Sequence, residues 1–191
     1  MSARERLLTA ALDLFAEFGV SGTSLQMIAD RLGVTKAAVY HQFPTKEEIV
    51  LAVIGPALDA LANIADAAQA RRTPAARRDI ALRGVVDLVV EHRRVAAVMR
   101  FDPVVQQIVT DHPAMVSMLR IRELITGPDP DTATSVAASM ISGGLIVAGI
   151  DAALDDLDDD TLREQLLDAA NRLLSAGRRG ARPRTFTAGA S

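Results

Sequence analysis

Apolar residues recur at intervals of three and four along most of this 191-residue chain, the spacing of one face of an α-helix. No stretch alternates with the period of two that a strand requires. The pattern starts in MSARERLLTAALDLFAEFG, an amphipathic helix. It continues with Leu25, Ile28, Ala29 and Leu32, the apolar face of a short helix. Thr23 is placed to cap that helix, with Gln26 completing a capping box. Gly33 stands where a chain leaving a helix often needs positive φ, and Val34 is expected to plug the turn. Thr35 caps the next helix, about Lys36 to Phe43. Pro44 ends it, because the residue before a proline is pushed out of the helical region. Thr45 caps a third helix, with Glu48 at the capping-box position.

Breaks divide the remainder. The helix opened by Thr45 runs to about Ala70, with a kink expected at Gly55-Pro56. Thr73-Pro74 restarts the chain, and that helix reaches about His92. Residues 94–100 form a short helix, and 103–110 and 113–126 form one broken helix or two. TGPDPD is a loop. An uncharged helix follows from Thr132 to about Leu154. DDLDDD is an acidic linker whose Asp160 caps a last helix, Thr161 to Ala176. The elements describe an all-α chain with an N-terminal three-helix unit, residues 1–46, a helical bundle, 47–176, and a tail, 177–191. The tail lacks apolar periodicity and is expected to be disordered.

The helix after Thr35 has two unlike faces. Val39 and Phe43, four apart, point inward. Lys36, Ala37, Tyr40 and His41 share the opposite face. A short helix ordinarily buries its aromatics. Here a tyrosine, a histidine and a lysine project together beside small alanines. A helix-turn-helix reader of DNA needs this layout: a cation and a hydroxyl for phosphates, and small side chains that admit the helix to the major groove. Thr23, Ser24, Thr35 and Lys46 border the same face.

The segment FAEFGVSGTSLQMIADRLGVTKAAVYHQFPTKEEIV resembles the DNA-binding domain of TetR-family transcriptional regulators. The resemblance rests on Phe15, Gly19, Thr23, Ile28, Ala29, Gly33, Val34, Tyr40, Phe43, Lys46 and Glu48, in register, and covers about residues 4–54. It implies an all-helical homodimer with a TetR-like fold. The N-terminal helices bind double-stranded operator DNA, and a divergent C-terminal domain usually binds a small ligand. The expected function is a repressor released from its operator by a small apolar effector. The alternative is a ligand-independent architectural DNA-binding protein.

Net charge is −3, which does not advertise a nucleic-acid binder. Residues 1–46 hold five basic and four acidic side chains, so the case for DNA rests on placement. Only two lysines occur, against nineteen arginines, and both fall at positions expected to face DNA. Cysteine is absent, which removes disulfides, thiolate metal sites and thiol redox sensing by this chain. His41, His92 and His112 lie far apart, with no second histidine at metal-ligand spacing. No phosphate-binding loop or nucleophile elbow is found. The expectation is therefore no catalytic site, no metal and no cofactor. The amphipathic N-terminus is not a signal peptide, which points to the cytoplasm. Thr132–Ile150 carries no charge over nineteen residues, but its serines, threonines and acidic flanks argue against a membrane span.

A helix apolar nearly all round is buried, in a core or against another subunit. Small residues in Thr132–Leu154 and an apolar stripe in the last helix place a four-helix dimer interface on Ala138, Ile141, Gly144, Leu145, Ala148, Leu166, Ala169 and Leu173. The flexible apolar residues Met99, Phe101, Met115, Met118 and Met140 are candidates to line a ligand pocket. His92, Arg94, Arg100 or His112 would orient a polar group.

Overall fold

A computed structural model describes residues 1–93, 95, 98, 102–154 and 156–180. Among them every regular element is helical: α1 (Ala3–Gly22), α2 (Leu25–Leu32), α3 (Lys36–Gln42), α4 (Lys46–Gln69), α5 (Pro74–Glu91), α6 (Pro103–Asp111), α7 (Ala114–Thr126), α8 (Thr132–Ala148) and α9 (Asp159–Gly180), with a 3₁₀ turn at Ala152–Leu154.

Most boundaries follow local chemistry. Ser2 and Glu5 form a capping box on α1. Thr73 caps α5 and leaves Pro74 in the first turn. Asp102 caps α6 in the same way, ahead of Pro103. Other boundaries differ from expectation. α1 is broken at Gly19 (φ 73°, ψ 163°), a backbone shape that glycine adopts readily. α4 runs through Pro56 to Gln69 as one helix, close to the expected end at Ala70. Residues 103–126 form two helices. α8 stops at Ala148, well short of Leu154. The last helix begins at Asp159, and Asp158 rather than Asp160 receives the Thr161 N–H, at 2.9 Å. That helix runs to Gly180, four residues into the expected tail. Residues 181–191 and most of the expected 94–100 helix lie outside the described residues.

Two hydrophobic cores share α4. The first joins Leu7, Leu14 and Phe15 of α1, Ile28 of α2, Val39 and Phe43, and Ile49 to Leu58 of α4. It then continues into Val95, Val98, Val105 and Val109. The second gathers Ala65 and Ala68 of α4, Leu82 and Val86 of α5, Ile121 and Ile125 of α7, Ile141 and Leu145 of α8, and Leu162 and Leu174 of α9. Each large aliphatic or aromatic side chain fully buried this way contributes about 1.5–3 kcal/mol. Among the described residues α4 is the helix with the length and apolar content to cross a membrane, yet its apolar side supplies both cores. The cores do not divide at residue 46: the first three helices and the start of the body pack as one unit.

Candidate nucleic-acid interface

The turn between α2 and α3 is set by Gly33, which adopts φ 66° and ψ 33°. Its N–H bonds the Asp30 carbonyl at 3.2 Å, and the Val34 N–H bonds the Ala29 carbonyl at 3.0 Å. Val34 itself is 44% exposed. The expectation that it plugs the turn is therefore corrected: its backbone closes the turn while its side chain stays outside. The Thr35 hydroxyl then accepts the Ala38 N–H at 3.2 Å and starts α3. On the inner face of α3, Val39 is fully buried and Phe43 nearly so. The Arg4 guanidinium covers the Phe43 ring at 5.1 Å. α3 is thus locked by its apolar side.

Its other side is free. Lys36, Ala37, Tyr40 and His41 are all exposed. The Lys36 ammonium lies 5.7 Å from the Tyr40 ring centre, which draws the cation toward the phenol by its π-face. Both border an open concavity of about 550 Å³ completed by Ser21, Ser24, Thr45 and Lys46. Hydroxyls and the Lys36 ammonium around one hollow suit a phosphate backbone.

Two residues of this set have a different role from the one expected. Thr23 is only 2% exposed. Its hydroxyl donates to the Gly19 carbonyl at 2.7 Å and to that of Leu14 at 3.2 Å, so it is not offered to a phosphate. Ser24 is the cap of α2, accepting the Met27 N–H at 3.2 Å, and it stays exposed. Both residues are good capping types, and the capping-box spacing favoured Thr23, but the Gln26 amide donates to Asp30 instead and Ser24 is the cap. Lys46 is half-buried. Its ammonium donates to the Val20 carbonyl at 2.9 Å and the Thr23 carbonyl at 3.2 Å. Two of its three protons therefore hold the α1–α2 turn to the start of α4.

Sequence reasoning missed Asp102. Its carboxylate accepts the Ser21 N–H at 2.7 Å, the Ser21 hydroxyl at 3.2 Å and the Val104 N–H at 2.9 Å. Burial alone would push this carboxyl up. The N–H groups of Ser21, Val104 and Val105 and the Ser21 hydroxyl outweigh it and hold it below the ordinary aspartate value. Asp-Pro marks a helix start, but nothing local in the sequence ties residue 102 to residue 21.

The proposed ligand residues are scattered. Met115 and Met118 pack half-buried against the first core. Met140 is 57% exposed on α8. Met99, Phe101, Arg94 and Arg100 lie outside the described residues. The His112 Nδ1 accepts the Ala114 N–H at 3.1 Å and serves the start of α7. His92 borders a smaller hollow, about 380 Å³, with Leu12, Val90, Arg93 and Asp159. Among the described residues no three histidine or acidic side chains gather to hold a metal.

The dimer set is also redistributed. Ala138, Ile141 and Leu145 are buried within the protomer, against α9 and the second core. Ala148, Leu166 and Leu173 are half-buried, and Gly144 and Ala169 are exposed. The outward stripe of α8 is instead Val136, Met140, Gly143 and Val147, all exposed. A helix apolar all round gives no rotational phase, so spacing could not tell which side faced the core.

The family described as bacterial regulatory proteins, tetR family, matches residues 7–53, the segment that builds this interface. Over that segment the chain is similar to the tetR family. The HTH-type transcriptional regulator RutR of Escherichia coli K12 is 43% identical over 60 residues, 31% of this chain and 28% of that protein. The HTH-type transcriptional repressor KstR2 of Mycolicibacterium smegmatis is 38% identical over 58 residues, 30% of this chain and 28% of its own length. The chain thus spans little more than a quarter of the length of these curated relatives. Solved TetR-family structures share the fold across nearly the whole chain. PfmR from Thermus thermophilus aligns with TM-score 0.65 at 21% identity over 91% of this chain and 96% of its own. AibR, solved in complex with isovaleryl coenzyme A and operator DNA, aligns with TM-score 0.64 at 19% identity over 87% and 96%.

Proposed function

We propose that this protein is a cytoplasmic, homodimeric transcriptional repressor that binds operator DNA through α3 and leaves it when a small apolar molecule binds the body. The observation that carries the reading is the two-faced α3. Val39 and Phe43 lock it inward, while Lys36, Ala37, Tyr40 and His41 stand free beside a hollow rimmed by hydroxyls. In the proposed complex Lys36 and the Tyr40 hydroxyl bind phosphates, and Thr35, Ala37 and His41 lie nearest the groove floor.

Dimerisation is proposed through the outward stripe of α8, Val136, Met140, Gly143 and Val147. Open space beside Gly143 and Gly144 would admit a partner helix close to the backbone. Val116 and Leu119 of α7, 62% and 60% exposed, add apolar surface of the kind an interface covers. The division into a reading unit up to residue 46 and a ligand-binding and dimerising body up to residue 176 belongs to the same proposal. Release by a ligand is supported by the AibR complex with isovaleryl coenzyme A and operator DNA, and repression by the KstR2 name.

Selection of bound duplexes from a random pool tests the reading. Recovery of one palindrome, with half-sites about one helical turn apart, is the expected result. Binding that ignores sequence would favour the architectural alternative, and no binding at moderate salt would refute both.

A further inference from the structure

The break at Gly19 takes Ser21 out of the hydrogen-bond ladder of α1, and its N–H points instead at a carboxylate 81 positions along the chain. That carboxylate is Asp102, at the N-terminus of α6 in the body. It takes both the N–H and the hydroxyl of Ser21 while also capping α6 through the Val104 N–H. A Cβ on Gly19 would sit 3.5 Å from Asp102 Oδ2, so body and reading head touch closely here. Hydrogen bonds to an ionised acceptor are roughly twice as strong as neutral ones. The same short turn is gripped from its other side by Lys46, at the first residue of α4.

We propose that Asp102 is a positioning residue that fixes the angle of the reading head on the body through Ser21, as a second link independent of the α4 connection. α4 carries the chain between the two parts, and the first core packs α1 against Val105 and Val109 of α6. The bond from Asp102 adds a directional polar link at the rim of that apolar seam and fixes the angle there. A displacement of α6 then moves Ser21, and Ser21 moves the hollow beside Lys36 and Tyr40. The consequence for DNA rests on the regulator reading, but the geometric role does not.

The test uses the full-length protein, whose lack of cysteine allows clean labelling. Spin labels go on Gln42→Cys in the head and Glu123→Cys in the body, both exposed positions. Labelled subunits are diluted with unlabelled protein, so that only distances within one chain are read. Asp102→Ser keeps a good capping residue but cannot reach Ser21, and Asp102→Ala loses both functions. The expected result is a narrow distance distribution in the parent and one about twice as wide in both Asp102 variants, with a smaller widening in Ser21→Ala, which keeps its N–H. Affinity for the selected duplex should fall about tenfold in Asp102→Ser with an unchanged salt slope, because the number of phosphate contacts is the same. An unchanged width in Asp102→Ser overturns the proposal, even if Asp102→Ala broadens or fails to fold, since capping alone would then explain Asp102. Broadening in a protein that selects no duplex would uphold the positioning role and refute the regulator reading instead.

Discussion

Replacing Lys46 with methionine keeps the aliphatic stem and removes the ammonium. The structure assigns that ammonium two internal bonds, to the carbonyls of Val20 and Thr23 at 2.9 and 3.2 Å. A hydrogen bond to a charged group contributes about 1.5–3 kcal/mol. These are half-buried, and water can reach the freed carbonyls, so each falls to about 1 kcal/mol, the worth of an ordinary hydrogen bond, and the pair together should contribute about 2 kcal/mol. For a chain of this size each kcal/mol shifts Tm by roughly 2–4 °C, so Lys46→Met should melt about 4–8 °C lower without DNA present. Lys36→Ala is the control: Lys36 is exposed and its contact is with the Tyr40 ring, so its Tm should stay within about a degree. The order reverses in a salt titration of operator binding. Each phosphate neutralised adds about 0.9 to the slope. Lys36→Ala should lose about that much, and Lys46→Met less than half of it. A Lys46→Met protein with the parent's Tm and a slope lower by one would refute the internal role and restore Lys46 as a plain phosphate contact.

Tyr40→Phe should leave Tm unchanged and weaken operator binding several-fold, measured by fluorescence anisotropy, because only an exposed hydroxyl is lost. Met140→Arg should turn a sedimenting dimer into a monomer, whereas an unshifted sedimentation coefficient would place the interface away from the outer face of α8. Gly177→Val should destabilise by about 1–3 kcal/mol in urea unfolding, since a Cβ at Gly177 already lies 3.2–3.3 Å from the Ala133 backbone. The Asp102 carboxyl is held below its unfolded value, so the stability it adds is complete above about pH 4 and is lost as pH falls through and below that point. In Asp102→Asn the fall in Tm between about pH 5 and pH 3 should be shallower than in the parent, with the two curves parallel from about pH 6 to 8.

The features legible in the sequence were those written in adjacent residues. Thr35 and Thr45 cap their helices, Gly33 supplies the positive φ, Pro44 separates α3 from α4, and Thr73-Pro74 opens α5, because each depends on a side chain reaching its own backbone a few positions away. Roles that depend on distant chain segments were misread. Thr23 has the better local capping-box signal, with Gln26, yet its hydroxyl turns inward to the Gly19 and Leu14 carbonyls of α1 and Ser24 caps α2. Lys46 looks like any surface cation until the α1–α2 turn brings two carbonyls beside it. The inward face of α8 was hidden for the same reason: Ile141 and Leu145 pack into the second core, and nothing within residues 132–148 records that.

The first core runs from α1 into Val105 and Val109, and this bears on exchanging recognition modules between regulators. A graft cut at residue 46 would strip Val39 and Phe43 of the Ile49 to Leu58 face, and even the whole family-matched segment, 7–53, stops short of Ile54, Ala57 and Leu58. A transplanted head would meet a foreign α6 with no acceptor for Ser21 and a foreign seam in place of two valines. Chimeras of this protein should therefore be joined beyond Leu58, with residues 102–109 carried along as part of the donor.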